Sequence, residues 1–351
     1  MKKIFVQLHT IYWVITIGTI QMLSHFPAFI EMVYAQNIYP VIAVVNRWFF
    51  KLLSISGGDI IYIFGFSYFT FLLFQILKNI KKPLTQLSKL SYFLLQVVWL
   101  FYFSWGLNYF RQPLAKRLNI SEEKYTMTQL QSITDLMIEK SNKLQLKLAG
   151  NDTIPVEIPY GIERIISKVP EGYRAIESII KQKYTIPCEK PSLLSTHISY
   201  MSVSGYLNPF TGEAQINRIY PKIFLPDIAS HEVAHQLGYA PENEANFLGY
   251  LSASHNPDLY FQYSAYIDAL YYCLLELRKA NNDIYKQYIK KINKGILKNY
   301  HEAYNFSQTH QFPIDFSSTY DAYLKINKQK SGIKSYNEMV SLLIAYALKN
   351  E

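Results

Sequence analysis

SHEVAHQLGYAPENEANFLGY, running from Ser230 to Tyr250, is the one stretch of this chain whose spacing has a specific chemical use. On an α-helix His231 and His235 lie four residues apart and so on one face, where two imidazoles can bind one zinc ion while Glu232 flanks it. A zinc ion that works on water takes three protein ligands and keeps a fourth position open, so the histidine pair leaves one ligand to be found. Gly238 can end the helix in a left-handed conformation and Pro241 prevents its simple continuation. The chain can then turn and bring a carboxylate back to the metal. Glu242 is the candidate, with Glu244 two residues further on.

Two neutral imidazoles and a carboxylate on Zn²⁺ would lower the pKa of a bound water towards 7 and so create a nucleophile at neutral pH. Glu232, about 100° round the helix from His231, could take that water's proton as general base and pass it to a leaving amine, provided it stays off the metal. The run Glu242-Asn243-Glu244-Ala245-Asn246 resembles the Glu-x-x-x-Asp signature of gluzincin peptidases, in which the first Glu binds zinc and the last residue supports a histidine ligand. That resemblance matches Glu242 to the third ligand and Asn246 to the supporting residue. The departure is an amide where those families have a carboxylate, and an amide polarises an imidazole less. Gly238 is similar to the glycine of the metzincin HExxHxxG motif, but Pro241 stands where the third histidine of that class would be. Such enzymes often draw an oxyanion-stabilising Tyr or His from their C-terminal half, which makes Tyr320, Tyr336 and His301 candidates.

Outward from the motif, composition divides the 351 residues into two environments. Charged residues make up 17%, below the roughly 25% of soluble domains, and the deficit lies at the N-terminal end. The net charge of +9 is also uneven: residues 1–110 carry eight Lys or Arg against two acids, and the remainder 27 against 24. The second region is therefore close to balanced and has no basic block interleaved with stacking aromatics, which argues against a nucleic-acid partner. Cys188 and Cys273 are too few and too far apart for a disulfide framework.

Three uncharged runs are long enough to cross a bilayer of about 30 Å hydrocarbon thickness: about 4–28, 60–77 and 90–110. The first exceeds the apolar core of a signal peptide and has no small-x-small site close behind it, so it reads as an uncleaved helix. Between the first two, about 41–55, Arg47 and Lys51 alternate with Trp48, Phe49 and Phe50, a pattern for a helix lying on the membrane surface. The N-terminus and the loop from Lys78 to Lys89 hold six lysines and no acid. The positive-inside rule puts both in the cytoplasm, and three crossings then deliver everything after Arg111 to the other side.

From Gln112 the pattern is that of a water-soluble domain. Thr128 is placed to cap a helix to about Leu148, and a second helix is expected at about 172–183. Residues 193–217 read as strand and hairpin around Asn208-Pro209-Phe210-Thr211-Gly212, with Glu213 either a solvated turn residue or a substrate-binding acid. Gly205 to Asn217 is placed to offer a peptide substrate a strand edge. A helix is expected to start near Asn246, and residues 259–277 read as a scaffold helix buried in the domain.

Taken whole, the chain is similar to a bacterial family of membrane-anchored, zinc-peptidase-like proteins with a domain of unknown function, found chiefly in Bacteroidetes. The resemblance rests on Trp105-Gly106-Leu107-Asn108-Tyr109, Asn208 to Ala214, the metal motif and Tyr320 to Lys325. The expectation is an α+β protein: a membrane domain at 1–111, then a mainly helical, gluzincin-like zincin domain with a small sheet at 112–351. The protein would be a multi-pass inner-membrane zinc metallopeptidase with a periplasmic catalytic domain acting on peptides or proteins. His231, His235 and Glu242 would hold Zn²⁺ and Glu232 would be the base. The rival expectation is a membrane-tethered binding or scaffold protein with a structural or vestigial zinc site, which has no use for an intact Glu232.

Overall fold

The computed structural model describes residues 2–79, 83–121, 124–312 and 317–350; Lys81 and Lys82 of the basic loop lie outside them. It is mostly helical with one small sheet. Two compact units share the chain: Met1–Gln112 with Asn208–Glu213, and Pro113–Leu207 with Ala214–Glu351.

In the first unit, helices at Pro27–Lys51, Gly57–Lys78 and Leu84–Ser104 are long and apolar enough to cross a membrane, which marks a membrane protein. Their outward residues are apolar, as lipid requires: Phe64, Phe66, Phe74 and Leu77 are all exposed. A further helix, Lys2–Leu23, precedes them. The expected first run is thus broken at Phe26, whose φ of −121° and ψ of 63° are non-helical. Proline explains the break, because its ring disfavours helical geometry in the residue before it and Pro27 then opens the next helix. Residues 41–51 of the segment expected to lie on the membrane surface form the second half of the Pro27–Lys51 helix. Its first half, Ile30–Ile38, is wound as a π-helix just ahead of Pro40, which lacks the N–H an α-turn would need. The last span ends at Ser104 rather than near 110, and Gly106–Phe110 forms a 3₁₀ turn. Beyond it Arg111 makes a bidentate pair with Glu31, Nε to Oε2 and Nη2 to Oε1 both 2.9 Å. Two parallel charge-assisted bonds of this kind satisfy the buried guanidinium and the half-buried carboxylate.

Glu213, expected as a solvated or substrate-binding turn residue, is neither. It is fully buried in this unit, where its carboxylate accepts from the backbone N–H groups of Gly57 (3.2 Å) and Gly58 (2.5 Å) and from the Thr211 hydroxyl (3.0 Å). Those N–H groups are the unsatisfied donors at the positive end of the Gly57–Lys78 helix, where a carboxylate is favoured. A Cβ on Gly58 would sit 2.7–2.8 Å from the Asn208 side chain, so the approach needs glycine.

The second unit is built on a layer of helices around one core. Met127–Ala149 is capped by Thr126 rather than Thr128, in a reciprocal box with Gln129. Ile162–Ala175 starts ten residues before the expected second helix and carries Pro170 within it. The sheet has three short strands, β1 (Glu189–Pro191), β2 (Gly205–Leu207) and β3 (Ala214–Ile216), in the order β1-β3-β2. β1 pairs parallel and β2 antiparallel with the fully buried β3. Residues Ser195–Tyr200, expected as strand, are helical. Ser192 accounts for the difference: its hydroxyl accepts from Leu194 N and its carbonyl from the Ser195 hydroxyl, local bonds that favour a turn over a ladder. Leu259–Ala280 is a core helix, with Phe261, Tyr263, Leu270 and Leu277 inaccessible. Both cysteines are buried.

Candidate metal centre

The motif helix spans Leu225–Gln236, and only His231 and Ile228 keep appreciable exposure. Val233, Ala229 and Ala234 face the core, which leaves the histidine face turned towards the next helix, Glu242–Ser254. The two helices approach closely at Gly249, where a Cβ would lie 3.0 Å from His231 N and 3.1 Å from its Cα. Tyr173 fixes the far side, its hydroxyl donating 2.6 Å to the Ser230 carbonyl. Between the helices Gly238 has φ +84°, the left-handed stop its position led one to expect. Pro241 then caps the second helix, whose first residue is Glu242 itself rather than one near Asn246.

This tight connection decides where the carboxylates point. Glu242 Oε2 lies 3.4 Å from His231 Nε2 and 3.5 Å from His235 Nε2. Glu232 is 4% exposed, and its carboxylate lies within 4.8 Å of the two imidazoles. Glu244 is turned elsewhere: its Oε1 accepts from Leu114 N at 2.7 Å and caps the short helix Leu114–Leu118. Of the two candidate third ligands, the geometry brings Glu242 to the histidines and takes Glu244 away.

Two ligand atoms each about 2.0–2.1 Å from a tetrahedral zinc lie about 3.3–3.4 Å apart, close to the observed separations. Among the described residues Glu232 Oε2 is moreover buried with no hydrogen-bond partner, and the buried Glu242 Oε2 has only the two histidines to pair with. An orphaned buried carboxylate oxygen is costly unless something charged completes it. The donor set of two imidazoles and one carboxylate therefore fits a zinc ion with an open position. His235 is prepared for it, because its Nδ1 lies 2.7 Å from the Tyr239 carbonyl. A carbonyl only accepts, so Nδ1 carries the hydrogen and Nε2 keeps its lone pair for the metal.

The neighbouring carboxylates favour a second proton on His235, at Nε2, which a metal ion would displace. Burial opposes charge on His235, but the Glu242 carboxylate outweighs it, with help from Glu232 and the Tyr239 carbonyl, and its pKa rises to about 9. Burial likewise opposes charge on Glu242, yet His235 and His231 hold its carboxyl well below the ordinary range. Burial pushes Glu232 up, with His231 and His235 opposing and Glu242 assisting. A raised carboxyl is what a proton-accepting group working near neutrality needs.

A family profile described as "Protein of unknown function (DUF3810)" matches residues 34–344, most of the chain including the whole motif. The chain belongs to the DUF3810 family. No curated protein and no solved structure matches it.

Around the cluster, this DUF3810 chain places several residues differently from the sequence reading. Asn246, matched by resemblance to a histidine support, donates to the Tyr272 hydroxyl (3.3 Å) and the Tyr336 carbonyl (3.4 Å). A further carboxylate that acts electrostatically on His231, beyond Glu242 and Glu232, is Asp268 from Leu259–Ala280, which itself interacts with Asp227. Burial raises both of these carboxyl groups, Asp268 raises Asp227 further, and His231 opposes the rise at Asp268. The sequence held one trace of this: Asp227 precedes His231 by four residues and so shares its face. Gly205, which opens the segment expected to offer a strand edge, lies on β2, where a Cβ would come within 2.8 Å of Glu232 Oε1. Of the three oxyanion candidates, Tyr320 donates 2.8 Å to Glu242 Oε1 and lies 3.1 Å from the Tyr336 hydroxyl. His301 stacks on Tyr304 on the exposed face of Lys294–Thr309, and no contact among the described residues joins it to the cluster.

Proposed function

We propose that the chain is a membrane-anchored zinc metallopeptidase of gluzincin type, with His231, His235 and Glu242 as metal ligands and Glu232 as general base. The observation that carries this reading is the convergence of the buried Glu242 Oε2 on both histidine Nε2 atoms, each within 3.5 Å. When bound there, zinc would acidify a water and polarise a peptide carbonyl. The chain's own residues supply the rest. The Tyr239 carbonyl orients His235, Glu242 neutralises part of the metal charge, and Glu232, kept off the ligand set by its position on the helix, accepts the water proton and returns it to the departing amine. β2 is an edge strand beside Glu232, and an extended peptide adds to a sheet at such an edge.

The lysine-rich connection between Lys78 and Leu84 supports an extracytoplasmic, periplasmic catalytic region at the inner membrane. A single crossing by Leu84–Ser104 separates that loop from residues beyond 112, so the inference holds whether or not Lys2–Leu23 also crosses.

Full-length protein in detergent is the appropriate material, because residues 208–213 belong to the first unit. We expect one zinc per chain by elemental analysis and cleavage within a mixed peptide library. Glu232→Gln should keep the metal and lose cleavage by at least the roughly 10²-fold that general-base catalysis contributes. Zinc-loaded wild type that cleaves no peptide, or a Glu232→Gln protein as active as wild type, would refute the proposal.

A further inference from the structure

Glu242 is approached from behind by a part of the chain far away in sequence. Helix Ser317–Ile326 brings the Tyr320 hydroxyl to Glu242 Oε1, at 2.8 Å. Gln329 Oε1 accepts from the Glu242 backbone N–H at 3.4 Å and from the Ser335 hydroxyl at 3.2 Å. The 3₁₀ turn Gly332–Glu338 places the Tyr336 hydroxyl 3.1 Å from that of Tyr320, and Asn246 on the second metal helix donates to the Tyr336 carbonyl. The segment is also tied to itself. Asp321 Oδ1 accepts from Ile333 N at 2.9 Å, and its other oxygen pairs with Lys325 at 2.6 Å. Gly332, at φ +57°, makes the turn and leaves room for that carboxylate, which a Cβ would strike.

We propose that residues 320–336 form a strap that positions the third metal ligand, with the Tyr320 phenol fixing the Glu242 carboxylate through Oε1 and Tyr336 steadying Tyr320. This rests on the reading of the cluster as a metal centre. A free carboxylate can offer a metal either oxygen or both. Here Oε1 is taken by a phenolic hydrogen and Oε2 alone faces the two histidine Nε2 atoms. The strap thereby selects one oxygen and one orientation, the task that residues hydrogen-bonded to metal ligands perform in metal sites generally. Tyr320 is accordingly a positioning residue, not the oxyanion donor its location in the C-terminal half suggested.

The test uses full-length protein in detergent and zinc competition against a chromogenic chelator, with cobalt(II) as a spectroscopic probe. Tyr320→Phe should weaken zinc binding roughly 10- to 100-fold. Its cobalt d–d bands should also lose intensity, as the released Oε1 enters the coordination shell. Tyr336→Phe, whose hydroxyl reaches Glu242 only through Tyr320, should shift both readouts in the same direction by less. A merely structural role would lower thermal stability but leave the cobalt spectrum of the folded fraction unchanged. Should Tyr320→Phe prove unstable, Tyr336→Phe decides the matter by the same two readouts. Wild-type zinc affinity and an unaltered cobalt spectrum in these variants would overturn the strap, and a fall in kcat alone would assign Tyr320 to the oxyanion. Wild type that binds no zinc would instead overturn the metal centre itself.

Discussion

Gly205→Ala is the most economical perturbation of the proposed base, because it adds one methyl group on a strand without touching a metal ligand. That methyl carbon would sit 2.8 Å from Glu232 Oε1 and 3.0 Å from its Cγ, where ordinary contact begins at 3.4 Å. The shortfall at the oxygen is 3.4 − 2.8 = 0.6 Å. The methyl group cannot retreat, since the Gln215 carbonyl of the paired strand β3 stands 3.1 Å away. The carboxylate must therefore move by about 0.6 Å. A misplacement of about 1 Å can cost roughly 10²-fold in rate, so we predict a fall in kcat of about tenfold. The assay is cleavage of one peptide from the library at saturating and limiting concentrations, with zinc content measured on the same preparation. Zinc should stay at the wild-type level, as His231, His235 and Glu242 are untouched. An unchanged kcat at full zinc occupancy would show that Glu232 Oε1 does not act from this position, and loss of zinc would show that the geometry of the cluster is misread.

Two further outcomes follow from the same coordinates. Glu242→Ala should abolish tight zinc binding, whereas Glu244→Ala should retain it and instead leave the Leu114 N–H unpaired, at a cost of about 1–3 kcal/mol; equilibrium dialysis and thermal unfolding separate the two, and zinc loss in Glu244→Ala would reverse the ligand assignment. In the metal-free protein the His235 pKa is raised from 6.5 to about 9. Its contribution to stability is thus complete below about 6.5 and lost as pH rises through about 9. The unfolding midpoint in chelator should fall over that interval while zinc affinity rises about tenfold per pH unit, one proton being displaced; a flat profile of either would remove His235 from the linkage.

How much of this could be read in advance depended on the reach of each interaction. The two histidines, their base and the Gly238 stop follow from i, i+4 spacing and one left-handed residue, and all of that is local. Glu242 and Glu244 are nearly equivalent as sequence. They part because the helix starts at Glu242 and because Leu114, 130 residues away from Glu244, needs an acceptor. Asp268 and Tyr320 reach the cluster only through tertiary packing, which no spacing records. Hydropathy located the apolar mass of the first unit but merged across Phe26, although Pro27 was there to be read as a boundary. At Ser195–Tyr200, β-prone Ile198 and Tyr200 gave the wrong answer because two bonds from Ser192 favour a turn.

Glu213 also imposes an order of events. The Gly57 and Gly58 N–H groups at the head of a membrane-length helix receive their acceptor from a residue about 155 positions later. At synthesis rates of about 5–20 residues per second, that helix is complete for on the order of 10–30 s before its cap exists. During this interval its first turn must be solvated by water or lipid headgroups. The first unit therefore cannot finish folding as it leaves the ribosome, and it waits for a hairpin encoded in the middle of the second.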